Sequence, residues 1–232
     1  MVNALIIAGG SGKRTGHNVP KQFMNVYDKP IIVYTLEAFQ KHTDVTAITV
    51  VCLNGWQDFL QAYCLQYGIS KLISIVPGGN NGQNSIFRGI TDIATRCIEN
   101  DLVIVHEAVR PLVSESVITD SIRVCKEHGG AVAAVPCNDA MLLVKSLSTA
   151  EAHISRSTLM KAQNPHTFTL GKLLWAHNEA DRLGIVDTVA TSTLMIELGE
   201  TLHLSEGADM NFKITSNEEL EIFKAILSSN VV

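Results

Sequence analysis

Gly9-Gly10-Ser11-Gly12-Lys13-Arg14 follows directly on the apolar run Ala4-Leu5-Ile6-Ile7-Ala8, and Pro20-Lys21-Gln22 comes a few residues later. Glycines at a strand end let backbone N–H groups approach anionic oxygens with no Cβ in the way. Lys13, Arg14 and Lys21 add charge, and a guanidinium can make two parallel hydrogen bonds to one phosphate. Such a segment suits the wrapping of a polyphosphate; the same residues also fit a tight strand–helix turn with surface cations. Two commoner phosphate loops fail here. The Walker loop needs glycine where Ile7 stands and a hydroxyl where Arg14 stands, and the dinucleotide fingerprint, counted from Gly10, needs glycine where Thr15 stands.

Three further clusters carry chemistry. Val105-His106-Glu107-Ala108-Val109-Arg110-Pro111 sets Glu107, a hard oxygen ligand of the kind magnesium takes, just past a buried strand. In that cluster His106 can simply cap the strand and Arg110 can pair with an interior carboxylate. Gly78-Gly79-Asn80-Asn81-Gly82-Gln83-Asn84-Ser85 reads either as a backbone-lined binding loop or as an Asn/Gly turn before a helix capped by Asn84. Lys213, in Asn211-Phe212-Lys213-Ile214-Thr215, sits in a short apolar strand, where a lysine is costly unless it meets an anion. Serines and histidines are present, but no sequence context marks the activated nucleophile of a classical triad.

The elements that must position these residues alternate along the chain. Strands are expected at residues 4–8, 47–53, 72–76, 102–106 and 131–135, and helices at 31–40, 56–67, 85–97 and 114–127. Such βα repetition predicts an α/β fold, a Rossmann-like, mostly parallel twisted sheet with helices on both faces and ligands at the C-terminal strand ends. The clusters above all fall at such ends. Regularity lapses at 137–163, where 142–145 and 152–155 read as a projecting β-hairpin arm. A two-stranded arm is rarely stable alone, so it is expected to pack on the same arm of a second copy. Helices at 170–183 and 188–198, short strands at 201–204 and 212–214, and a closing helix from Asn217 to Leu227 capped by Ser216 or Asn217 complete the pattern.

With 232 residues, 46% of them hydrophobic, the chain fits one α/β domain. A net charge of −5 argues against a nucleic-acid partner and leaves the basic loop to a small anion. No apolar run is long enough to span a membrane, and a strand opening at residue 4 leaves no length for a signal peptide. Cys52, Cys64, Cys97, Cys125 and Cys137 are odd in number and scattered, as expected of unpaired thiols in a reducing cytoplasm.

The first segment closely resembles the signature of the cytidylyltransferases that activate polyol phosphates, the methylerythritol phosphate and ribitol phosphate enzymes. Their pattern is Ala-Gly/Ala-Gly-x-Gly-x-Arg-Met, then Pro-Lys-Gln, and the chain departs from it at Thr15. The resemblance implies CTP and a polyol phosphate as partners, Mg²⁺ as cofactor, and a homodimer through the 137–163 arm. It implies that Ala8, Gly9, Gly10, Gly12 and Lys13 bind the nucleotide, with Gly78, Gly79 and Ser85 on its base side. Arg14, Lys21 and Lys213 become catalytic, Lys213 at the α-phosphate. Glu107, at the family's aspartate position, becomes the metal ligand, with Asp209 a possible second. Arg156 would grip the acceptor phosphate, Asp139 would face its hydroxyls, and Asn164 falls where the family has threonine. Gly82 replaces a family arginine. The methylerythritol hydroxyl donors are largely replaced, and Ala8–Gly10 and Ala108–Arg110 lean to the ribitol branch, whose members feed teichoic acid or capsule assembly. Methylerythritol phosphate, in isoprenoid synthesis, remains the alternative acceptor, and a non-catalytic nucleotide-binding homologue the alternative protein.

Overall fold

The computed structural model describes residues 1–10 and 19–229. Its elements in chain order are β1 (Val2–Ala8), β2 (Asn25–Val26), β3 (Lys29–Pro30), α1 (Ile31–Lys41), β4 (Ala47–Cys52), α2 (Gln57–Gln66), β5 (Leu72–Pro77), α3 (Gly82–Ala94), β6 (Leu102–Glu107), α4 (Glu115–His128) and β7 (Gly130–Pro136). The arm strands β8 (Met141–Ser146) and β9 (Thr149–Ile154) follow, then β10 (Met160–Thr169), α5 (Leu170–Leu183), α6 (Thr191–Glu197), β11 (Leu204–Glu206) and α7 (Asn217–Ser228).

Seven strands form one sheet in the order β11-β7-β10-β6-β1-β4-β5. Six run parallel, and β10 lies antiparallel between β6 and β7. The chain leaves β1 toward β4 and β5 on one side and returns to β6 on the other. That reversal opens a crevice at the C-terminal ends of β1 and β6.

Side-chain alternation explains why the sheet is covered twice. Ala4, Ile6 and Ala8 of β1 join α1, α2 and α4 through Ile32, Leu36, Phe39, Leu60, Ile118 and Ile122. Leu5 faces the other way, onto Ile90 and Ile93 of α3 and Leu173 and Ala176 of α5. A smaller cluster of Val26, Ile31, Ile214, Leu220 and Phe223 docks α7.

The expected alternation is therefore present, with local corrections. β10 was not expected, because Pro165 interrupts its pattern; the strand accommodates it at an irregularity between Ala162 and His166, where the Asn164–Pro165 peptide is cis. Residues 212–214 form no strand, and the last strand lies at 204–206, where it pairs with β7. Asn81, not Asn84, caps α3, accepting from the Asn84 N–H at 2.8 Å, so Gly82 is the first residue of that helix. Ser216 caps α7 in a capping box with Glu219. The hairpin arm is present, and its strands are exposed throughout. No helix among the described residues is long and apolar enough to cross a membrane. All five cysteines are unpaired; burial pushes the Cys52, Cys64 and Cys125 thiols up to about 12.

Gly89 lets α3 approach the sheet: a Cβ there would fall 2.4 Å from Leu5 Cδ1 and 2.9 Å from Val51 Cγ2. Gly89→Val is expected to cost about 1–3 kcal/mol by overpacking, read as a lower urea midpoint at unchanged slope.

Candidate active site

The crevice holds a cleft of about 430 Å³, within the range of small-ligand sites. One wall is the end of β1, with Ala8, Gly9 and Gly10; another is the Gly79–Gly82 turn with Ser85; Lys21, Glu107 and Lys213 close it.

Gln22 holds the first wall. Its side-chain amide donates to the carbonyls of Ala8 (2.8 Å) and Gly10 (2.9 Å), shaping the strand end from which the loop departs. Gly9 and Gly78 meet across the cleft floor: a Cβ at Gly78 would sit 3.5 Å from Gly9 Cα and 3.3 Å from the Cys52 carbonyl. Gly78 thus serves the close packing of β1, β4 and β5 and does not line the cleft. Ser85 is buried; its hydroxyl accepts from Gly79 N–H at 3.0 Å and donates to the Asn81 carbonyl at 2.8 Å. A Cβ on Gly79 would strike the backbone of Asn84 and Ser85, within 2.9 Å, so this turn admits only glycine there without a shift. Gly82 faces open space, and Arg88, less than two turns on, reaches back to the Gly78 carbonyl at 2.8 Å.

Three charged side chains meet at the cleft's rim. Glu107 ends β6, and its carboxylate accepts from Lys213 Nζ on one oxygen and from Arg110 Nε (2.9 Å) on the other. Burial alone would raise the Glu107 pKa; Lys213 and Arg110 outweigh it, and the carboxyl sits below its ordinary value. Lys213 lies not in a strand but in an extended segment held by the Ile214 N–H to Val109 carbonyl bond of 2.9 Å, and its side chain is 38% exposed. The anion it meets is Glu107. Lys21 opens a 3₁₀ turn, is buried, and donates to the Thr215 carbonyl at 2.5 Å. Glu219 secures that segment by accepting from the Thr215 and Ser216 amides.

Arg110 takes the structural role: besides Glu107 it reaches the Asn211 carbonyl at 2.9 Å. Asn211, fully buried, donates to the Asn164 carbonyl at 2.6 Å. Asn164 thereby belongs to a second, smaller cavity of about 90 Å³ that adjoins the first at Ile7, Gly82 and Glu107. Gln83 joins its walls, accepting from the Thr188 amide and hydroxyl at 3.0 Å and donating to the Ile185 carbonyl.

Other expected residues are not gathered here. Gly12, Lys13 and Arg14 lie outside the described residues. Asp209 is exposed and off the cleft, so the structure does not set it beside Glu107. Among the described residues no cluster of three His, Cys, Asp or Glu side chains is placed to hold a metal. Asp139 and Arg156 are exposed at the arm's foot, Arg156 donating to the Asn138 carbonyl at 3.2 Å, and neither lines either cavity. Sequence reasoning missed Gln22 as the brace of β1, Gln83 as the link to 185–188, and the buried His166 and His177. A glutamine two residues past a proline carries no signal of its own, and the histidines sit in a strand and helix face whose partners are remote in sequence.

The family model described as IspD, 2-C-methyl-D-erythritol 4-phosphate cytidylyltransferase, matches residues 2–229. The chain belongs to the IspD cytidylyltransferase family. Among its IspD-family relatives, it is 39% identical to the ribitol-5-phosphate cytidylyltransferase of Lacticaseibacillus paracasei over 98% of each chain. It is 36% identical to the enzyme of that name from Vibrio parahaemolyticus serotype O3:K6, over 97% of this chain and 95% of the relative. The crystal structure of the Francisella tularensis IspD has the same fold, with a TM-score of 0.80 at 23% identity over 97% of this chain and 99% of that one.

Three buried histidines give this IspD-family fold a pH dependence. Burial lowers His106 to about 3 and His166 and His177 to about 4, so the folded protein keeps them neutral where the unfolded chain protonates them. Their stabilising effect is complete above about pH 6.5 and is lost as pH falls toward 4, by up to about 1.4 kcal/mol per pH unit for each ring. Urea unfolding between pH 7 and pH 5 should show stability falling, and His177→Phe should make that slope shallower by roughly one ring's share.

Proposed function

We propose that this protein transfers CMP from CTP to a polyol phosphate, ribitol 5-phosphate or a related short sugar-alcohol phosphate, giving a CDP-polyol and pyrophosphate. The observation that carries the reading is the convergence of Lys21, Lys213 and Glu107 with two glycine-lined turns on one cleft at the strand-order reversal. The ribitol-5-phosphate relatives supply the acceptor class.

The acceptor phosphate is largely anionic at neutral pH and needs no general base, so positioning and charge neutralisation suffice. Lys21 and Lys213 stabilise charge accumulating at the α-phosphorus. The glycine amides at 9–10, with Lys13 and Arg14 of the adjoining loop, hold the departing pyrophosphate. Glu107 offers one hard carboxylate beside the phosphate cations. A single carboxylate would suit Mg²⁺ carried in on the triphosphate, and less a resident ion with its own protein cage. When bound, the ion neutralises triphosphate charge and polarises the bond that breaks. Glu107 would hold the ion while Arg110 keeps its carboxylate oriented.

The arm completes the reading. Leu142, Leu143, Val144 and Leu147 all stand exposed on it, an apolar surface that a lone hairpin cannot bury. A second copy presenting the same surface covers it and makes a homodimer, in which Arg156 and Asp139 at the arm's foot have the neighbouring chain's cleft within their compass. Leu143→Asp should convert the dimer to monomer in sedimentation and lower turnover with it.

Methylerythritol phosphate is the competing acceptor, favoured by the description of the family model. Pyrophosphate release with magnesium, over four nucleoside triphosphates and a panel of polyol phosphates, separates the two. Release with CTP and ribitol 5-phosphate is expected; release with methylerythritol phosphate alone would replace the acceptor, and silence would leave a nucleotide-binding homologue. Lys21→Ala and Lys213→Ala should each lower turnover about 10²–10³-fold, the scale of losing one preorganised charge contact, with circular dichroism unchanged. Near-normal turnover in both would sink the assignment.

A further inference from the structure

The turn from β5 into α3, residues 78–82, carries no cation. Gly79, Asn80, Asn81 and Gly82 line the larger cleft with backbone groups and two side-chain amides, while Lys21 and Lys213 line it elsewhere. The weak point of this turn is the Gly78–Gly79 peptide, because two successive glycines have the most backbone freedom to lose. Both ends of that peptide are held. The Gly79 N–H donates to Ser85 Oγ at 3.0 Å, and the Gly78 carbonyl accepts from Arg88 Nη1 at 2.8 Å. A trans peptide is planar, with its N–H and C=O pointing opposite ways, so two such bonds fix the plane. Ser85 and Arg88 stand three residues apart on α3 and share a face of that helix. A side chain cannot stiffen the turn instead: a Cβ at Gly79 would lie 2.7 Å from Asn84 Cβ, and one at Gly78 would lie 3.3 Å from the Cys52 carbonyl.

We infer that Arg88 is a positioning residue for nucleotide recognition, holding the Gly78–Gly79 peptide so that the turn keeps the shape that receives the base of the nucleoside triphosphate. The inference rests on the nucleotidyl-transfer reading above and gives it a residue outside the cleft. Arg88 does not line the cleft and acts through the turn. It is exposed, and the Gly78 carbonyl is its one hydrogen-bond partner among the described residues. A solvent-exposed arginine keeps its rotamer freedom unless something holds it; this one gives that freedom up for a backbone carbonyl beside the cleft. A charged donor also makes a stronger bond than a neutral one, which suits a guanidinium to the task. Gly82, the first residue of α3, faces open space and lends the turn no side chain of its own. Chemistry sets the base, and not the phosphates, against this wall. The phosphates belong with Lys21, Lys213 and the glycines at the end of β1, whereas neutral amides and backbone groups match the donors and acceptors of a base edge.

Titration calorimetry of the full chain with CTP, UTP and pyrophosphate, each with magnesium, tests this on wild type, Arg88→Met and Arg88→Lys. Arg88→Met keeps a long, helix-forming side chain and removes the donor. It should raise the Kd for CTP about fivefold, the scale of one lost hydrogen bond, with the urea midpoint unchanged. The ratio of the UTP Kd to the CTP Kd should shrink, because a loosened turn reads the base less sharply. Arg88→Lys, which keeps a charged donor, should recover part of the CTP affinity. Pyrophosphate, which has no base, should bind all three proteins within about twofold. A CTP Kd in Arg88→Met within about twofold of wild type overturns the inference. An equal loss of pyrophosphate affinity also overturns it, since Arg88 would then act by general charge attraction. A wild type that binds CTP but releases pyrophosphate with no polyol phosphate defeats the transfer reading alone, and the binding comparison still decides Arg88. A wild type that does not bind CTP overturns both.

Discussion

The Glu107 carboxylate, clamped between Arg110 and Lys213, is the interaction on which the site depends. It joins the end of β6 to a segment a hundred residues later that has no secondary structure of its own. Arg110 extends the clamp to the Asn211 carbonyl, Asn211 extends it to Asn164 on β10, and Lys21 ties the start of the molecule to Thr215. Remove the carboxylate and two cations lose their counter-charge while the 211–215 segment loses its anchor to the sheet. In a partly buried setting such an uncompensated charge costs more than the pair itself contributes. The clamp is therefore a structural rivet at the edge of the cleft.

The chain's acidic balance is compatible with a cleft that gathers cations. A net charge of −5 is spread over the surface, where solvent screens it. In the cleft Lys21 is held by the Thr215 carbonyl and Lys213 by the Glu107 carboxylate. The smaller cavity next door shares Glu107 with the cleft and is otherwise walled by imidazoles, amides, hydroxyls and aliphatic side chains. The two spaces meet at Ile7, Gly82 and Glu107.

The sheet is what allows this. Reversal of strand order between β1 and β6 opens the gap at their C-terminal ends, and Gly9 and Gly78 let the segments after β1 and β5 approach to van der Waals contact beside it. β10, entering antiparallel beside β6, brings Asn164 and His166 to the same end as Glu107. The price of that insertion is the irregularity at Asn164–Pro165, which interrupts pairing with β7 just where the cavity needs wall.

Much of this was determined by local sequence. Continuous apolar strands alternating with amphipathic helices dictate a doubly covered parallel sheet, because no other arrangement buries both strand faces. The glycine-rich strand end and Glu107 were legible because residue type and place at a strand end constrain chemistry by themselves, and Lys21 and Lys213 because a cation in a short or apolar segment calls for an anion. Only the tertiary structure decided which partners they meet. Nothing local says that Lys213 pairs with Glu107, that Arg110 braces Asn211, or that Asp209, two residues before a buried asparagine, stays outside the cleft. Nor does any local pattern place His166, His177 and Thr191 on one cavity, or show a proline-interrupted segment as a central strand. Those facts depend on contacts between residues far apart in the chain, whose free energy comes from burial and charge pairing that exist only once the sheet has formed.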